Sequence, residues 1–136
     1  MAPFIINWYN NEKRDIIHSH IPVDGTWADF YQAVDTIQLL VESVPHRVDL
    51  ITTSERDLPP GNPIVQLQPL FTMLDATDNF HTHIIVMPTT WRIAKLFIDV
   101  ANRVLVRGHQ MLILRSIEDA LAHIEQSRTR HNTGIT

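Results

Sequence analysis

The sequence predicts an α/β domain built on a five-stranded mixed sheet, and three observations carry that prediction. Apolar segments alternate between two kinds along the chain. Some are short β-branched runs such as Val48–Thr53, and others are longer stretches with apolar residues every three or four positions. The first two strand-like segments, Phe4–Tyr9 and Asp15–Ile21, are joined by a short polar link, which forces them antiparallel. Each later strand is separated from the next by a helical segment, which favours parallel pairing through right-handed crossovers.

The elements follow in order. Phe4–Tyr9 is rich in aromatic and β-branched residues, Asn10–Lys13 is turn material, and Asp15–Ile21 is stopped by Pro22. Asp24-Gly25 breaks the chain. Thr26 then caps a helix, with Asp29 three residues on as a capping-box partner. Trp27, Phe30, Val34, Ile37, Val41 and Val44 share one face of that helix, and Pro45 ends it. Val48–Thr53 is the third strand. Ser54–Gly61 is the longest irregular stretch. Asn62-Pro63 is a helix start, although Pro69 predicts either a kink or a helix proper from near Gln68.

His83–Met87 is a continuous apolar run of the kind found in strands covered on both faces. Thr89 or Thr90 caps a long helix that Gly108 terminates. Gln110–Leu114 is the fifth strand. Ser116 caps the last helix, with Asp119 three residues on. The expected order is β-β-α-β-α-β-α-β-α: an N-terminal antiparallel hairpin and four helices. Residues 1–125 form one domain and 126–136 a polar C-terminal tail in which Arg128, Arg130 and His131 are solvated. Phe30, Val34, Ile37, Ile85, Phe97, Ala101 and Leu112 are expected to be buried together.

Composition narrows function. The 136 residues are 44% hydrophobic and 19% charged, a globular balance with room for a core. Eleven Lys and Arg against fifteen Asp and Glu leave a net charge of −4, which argues against a nucleic-acid-binding domain. With no cysteine there is no disulfide, thiolate metal site or cysteine nucleophile. The beginning of the chain lacks the basic and apolar regions of a signal peptide, and the densest apolar run is far short of a membrane span. A cytoplasmic protein without an integral membrane segment is the expectation.

Motifs for chemistry are sparse. The four glycines form neither a dinucleotide fingerprint nor a phosphate loop, and no Gly-x-Ser-x-Gly elbow holds a serine. Of the eight histidines, His18/His20 and His81/His83 have His-x-His spacing, which on a strand shares one face. Two imidazoles without a third ligand do not make a metal site. Asp49 lies between apolar residues of the third strand. It reads either as a buried acid near the carboxyl edge or as an outward partner of Arg47. The sequence therefore predicts no catalytic residue, metal or cofactor.

The strongest site argument is geometric, because open α/β sheets gather ligands beyond the carboxyl ends of their strands. The residues expected there are Thr52, Thr53, Ser54, Arg56, Thr89, Thr90, Arg115 and Ser116, with Asp24 and Thr26 nearby. Helix N-termini at Thr90 and Ser116 add N–H groups suited to an anion, although capping alone explains those hydroxyls.

The order of elements resembles the STAS domains, and more closely the small bacterial SpoIIAA-like proteins. The residues that carry the resemblance are Trp27-Ala28-Asp29-Phe30-Tyr31, His46-Arg47-Val48-Asp49-Leu50-Ile51 and Pro59-Pro60-Gly61, within a pattern covering roughly residues 4 to 125. The resemblance implies a mixed sheet and a non-enzymatic regulatory or protein-interaction role, with another protein as partner. Phosphorylated antagonists carry a hydroxyl residue at the start of the second helix. Here Pro59-Pro60-Gly61-Asn62-Pro63 offers none, so no phosphoacceptor is carried over. The alternative is a small-ligand or lipid-head-group domain using the strand-end crevice. The apolar first strand, with no lysine or internal proline to guard an edge, also predicts a homodimer through the hairpin.

Overall fold

The computed structural model describes residues 4–10, 12–22, 24–54, 77–86 and 110–132, with the isolated positions 69, 72 and 76. Its elements are β1 (Ile5–Trp8), β2 (Ile16–Ile21), α1 (Trp27–Glu42), β3 (Val48–Ser54), β4 (Phe80–Val86), β5 (Gln110–Leu114) and α2 (Ile117–Asn132). The five strands form one sheet in the order β1-β2-β3-β4-β5. β1 is antiparallel to β2, and the other pairs are parallel. The mixed α/β sheet and its opening hairpin are thus as expected. Two helices stand among the described residues. Of the helix expected between Asn62 and Leu74 only positions 69 and 72 are described, both helical, and the one expected between Thr89 and Gly108 lies outside the described residues.

Local chemistry sets the boundaries. Asn10 Oδ1 accepts from the backbone N–H groups of Glu12 and Lys13, which turns the hairpin. Thr26 and Asp29 form the expected capping box. Thr26 Oγ1 accepts from Asp29 N at 3.2 Å, and Asp29 Oδ2 accepts from Thr26 N at 3.1 Å. Gly25 fits this corner closely, since a β-carbon there would stand 3.1 Å from the Phe4 ring and 3.2 Å from Pro22 O and would push its neighbours apart by a few tenths of an ångström. The Phe30 ring meets Phe4, Trp27 and Tyr31 edge-on. At the other end, the Asn79 amide donates to the carbonyls of Val41, Val44 and His46. It thereby satisfies one carbonyl of the last turn of α1 and two of the segment that leaves it.

The pleat divides the core in two. Val34, Ile37 and Val41 of α1 pack on Ile17, Val48, Leu50, Phe80, Ile85 and Met111. Ala120 and Ile124 of α2 pack on the opposite face, against Ile16, Ile51, Ile84 and Val86. Leu112 corrects one expectation: it packs with the α2 cluster, because β5 alternates Met111 and Ile113 toward α1. Phe97 and Ala101 lie outside the described residues.

β4 begins at Phe80, three residues before the expected His83, and carries a bulge. Val48 pairs with Phe80 but Leu50 pairs with His83, so β4 holds one extra residue there. The extra residue reverses the alternation and lets Phe80 share the α1 face with Ile85.

The largest correction concerns the C-terminal segment. α2 runs through the expected tail to Asn132, and Arg128 is an anchor rather than a solvated cation. The Asp49 side chain has 0% exposure, and Arg128 reaches it from α2 with Nη2 at 2.7 Å from Oδ2. Arg47 Nε lies 3.2 Å from both carboxylate oxygens. Thr82 N donates to Oδ1 at 3.1 Å. Arg128 also donates from Nη1 to Asp15 Oδ2 at 2.7 Å and from Nη2 to Asp15 O at 2.8 Å. The Arg47 pairing is the one the sequence suggested. Asp49 nevertheless sits at the amino end of β3, not near its carboxyl edge.

Removing one partner of a buried pair is costly because a desolvated charge is left behind. Arg47 remains here and Arg128 is 24% exposed, so Arg128→Ala is expected to cost about 2–3 kcal/mol, below the usual loss for a sole partner. The exposed neighbour Thr129→Ala should stay within about 0.5 kcal/mol. Urea titration of both variants checks this, and equal midpoints would place Arg128 back in solvent.

Candidate functional site

The parallel strands β2 to β5 follow chain order without a reversal. A crevice of the switch-point kind needs such a reversal, so this order does not open one. The strand-end candidates are also separated by the pleat. Thr52 turns toward α1 and pairs with His83, whereas Thr53 turns to the other face and meets His18 and His20. Ser54 ends β3 and is half-buried. Ser116 Oγ accepts from Asp119 N at 3.1 Å, as a cap. Arg115 is exposed beside it. Arg56, Thr89 and Thr90 lie outside the described residues.

The first His-x-His pair is assembled as its spacing suggested. His18 and His20 lie on the α2 face of β2, and in register His20 stands beside Thr53. His18 Nε2 is 2.8 Å and His20 Nδ1 is 2.7 Å from the same atom, Thr53 Oγ1. A hydroxyl has one proton to give, so one ring accepts it and the other donates an N–H to the oxygen. Burial holds the His18 pKa below its ordinary value, with repulsion from His20 adding to the effect.

The second pair is broken up by the bulge. His83 points to the α1 face, where Thr52 Oγ1 is 2.7 Å from its Nε2. His81 stays on the other face, with Nδ1 4.0 Å from Asp49 Oδ1. Spacing alone could not reveal this, because one inserted residue exchanges the faces. Among the described residues, no group of three or more His, Asp or Glu is placed to hold a metal ion.

His83 is fully buried, and burial pulls its pKa down to about 3. Its Nδ1 has no hydrogen-bond partner among the described residues. The lower-cost tautomer carries the proton on Nε2, which donates to Thr52, and leaves Nδ1 as a bare acceptor.

A cleft of about 410 Å³ lies between the hairpin turn and α2. Ile16, Leu121 and Ile124 line it together with the charged Lys13, Glu125 and Arg128. It opens where α2 ends its coverage of the sheet, beside β2. No sequence motif marks it, since its walls come from residues more than a hundred positions apart.

The neutral burial of His83 has a consequence in acid. The unfolded chain takes up this proton near pH 6.5, but the folded chain only near pH 3. Between those values the unfolded state holds the extra proton, so stability falls as pH falls, by about 1.4 kcal/mol per pH unit. Replacing both partners, Thr52→Val with His83→Leu, removes the titrating group without orphaning the other. The stability lost between pH 6 and pH 4 should then shrink by about 2–3 kcal/mol in urea titrations. Parallel losses in the variant and the parent would show that His83 is not buried neutral.

Compared with known proteins, the chain matches no family model, no curated protein and no solved structure.

Proposed function

We propose that the chain is a non-enzymatic interaction module of the STAS or SpoIIAA-like kind, and that it binds other proteins through the β1–β2 end of its sheet. The supporting observation is the uneven cover of that sheet. α1 lies along one face, and Ile6 and Trp8 of β1 pack into the core beneath it. On the other face the main contacts of α2 are with β3, β4 and β5, and it reaches the hairpin only at Asp15 and Ile16, where β2 begins, as far as the described residues show. Ile5 and Tyr9 are left 57% and 47% exposed, with the exposed Asn7 between them.

β1 is also an edge strand, and its outer backbone groups have no sheet neighbour among the described residues. Exposed apolar edges of this kind are usually capped, charged or covered by a partner. A second copy of the chain supplies such a cover through one self-complementary patch. A small-ligand or lipid-head-group crevice at the strand ends has less support, because the strand order contains no reversal. No helix among the described residues is long and apolar enough to cross a membrane.

Sedimentation equilibrium at neutral pH and tens of micromolar chain (roughly the range of moderate protein affinities) should give twice the 15.7 kDa chain mass. Ile5→Asp with Tyr9→Asp should return the chain to monomer without lowering its melting temperature. A single 15.7 kDa species for the parent chain would refute self-association through this face.

A further inference from the structure

β1 offers a second copy of the chain more than an apolar face. Tyr9 donates its backbone N–H to Ile16 O at 2.7 Å, and in the same register Asn7 stands opposite His18 and Ile5 opposite His20. Backbone groups in an antiparallel ladder alternate in direction from residue to residue, so Ile5, Asn7 and Tyr9 turn theirs to β2. Ile6 and Trp8 turn theirs outward, and among the described residues these N–H and C=O groups have no partner. The usual guards of an edge are missing: Phe4–Asn10 contains no charged side chain and no proline, and the β1–β2 register has no bulge. The chain as a whole carries a charge of −4, so two copies repel except across an uncharged stretch such as this.

We propose that two copies join edge to edge through β1, antiparallel and centred on Asn7, so that two five-stranded sheets become one continuous sheet. The inference rests on the self-association reading above and assigns its geometry. Only residues with outward backbone groups can form the hydrogen-bonded pairs, so Ile6 of each copy stands opposite Trp8 of the other. Centring on Ile6 or on Trp8 instead sets Trp8 opposite Phe4, or Ile6 opposite Asn10. Both of those partners lie outside the strand, and Asn10 O is already taken by the Arg14 N–H. The Asn7-centred register places Ile5 against the second copy's Tyr9, twice, with Asn7 against Asn7 at the two-fold axis. Ile5 and Tyr9 are 57% and 47% exposed in the single chain, and a β-branched side chain opposite an aromatic ring is a favourable cross-strand pair. Packing the two apolar patches face to face leaves the outer groups of Ile6 and Trp8 unmet, whereas edge pairing satisfies patch and backbone together.

The chain has no cysteine, so introduced thiols report the register directly. At the axis the Asn7 pair is not hydrogen-bonded, and its Cα atoms stand about 4.5 Å apart, inside the roughly 4.4–6.8 Å that a disulfide spans. Asn7 is exposed, so Asn7→Cys leaves the core intact. Glutathione disulfide should convert Asn7→Cys into a covalent dimer. Ile5→Cys and Tyr9→Cys should not link alone but should link when mixed. On the unmodified chain, hydrogen exchange of the Ile6 and Trp8 amides should be at least about tenfold slower at tens of micromolar than in the dilute chain, with less change at Asn7. A dimer by sedimentation in which Asn7→Cys does not link and the Ile6 and Trp8 amides exchange as fast as in the dilute chain would overturn edge pairing and leave self-association standing. Slowed amides with linkage of Ile5→Cys to itself would overturn the register. A parent chain that stays at 15.7 kDa would overturn both readings and leave the edge to a strand of a different protein.

Discussion

The Asp49 carboxylate, without exposed surface, ties the starts of three neighbouring strands to the far end of the last helix. It lies on β3, takes a backbone N–H from β4, and is met by Arg47 from just before its own strand and by Arg128 from α2. Arg128 reaches on to Asp15 at the start of β2. Three strand beginnings and the last turns of the final helix therefore share one charged knot. A buried ion pair is not in itself strong evidence of net stabilisation, since desolvation offsets much of the attraction. Its force lies in specificity: with the carboxylate buried, any packing that withdraws a guanidinium is heavily penalised.

That constraint places α2. Ala120 and Ile124 supply apolar burial against Ile51, Ile84 and Val86, and Arg128 fixes the helix at its far end. So anchored, α2 lies over β3 to β5 and the start of β2, and no other described helix lies over the rest of β1 and β2 on that face. The exposed Ile5 and Tyr9 and the half-buried His18 and His20 lie on that part of the face, and the cleft beside Ile16 borders it. The surface features proposed to act are thus consequences of where the helix is held.

Much of the fold was legible because its signals are local. Thr26 and Asp29 announced their capping box, Ser116 announced the cap of α2, and Gln110–Leu114 matched its strand. The misreadings came from interactions distant in sequence. After Gln126 the chain is polar and reads as a frayed tail, because the acids that anchor Arg128 lie at positions 15 and 49. Asn79 gives no hint that its amide closes the end of α1. The β4 bulge left the composition of the strand unchanged but exchanged its faces, which separated His81 from His83. At the candidate site, three consecutive hydroxyl residues looked like a cluster. The period-two pleat sends Thr52 and Thr53 to opposite sides, and the strand order gives no crevice to reunite them.

The dependence of the fold on this knot is tested most directly by a double-mutant cycle on Asp49 and Arg128, using Asp49→Asn, Arg128→Gln and the pair, each unfolded in urea at pH 7. If the two side chains hold each other as described, the single losses will not add, and the coupling will be about 1.5 kcal/mol or more. Additivity within about 0.5 kcal/mol would mean that the pair is dispensable and that something other than Asp49 holds the last helix on the sheet.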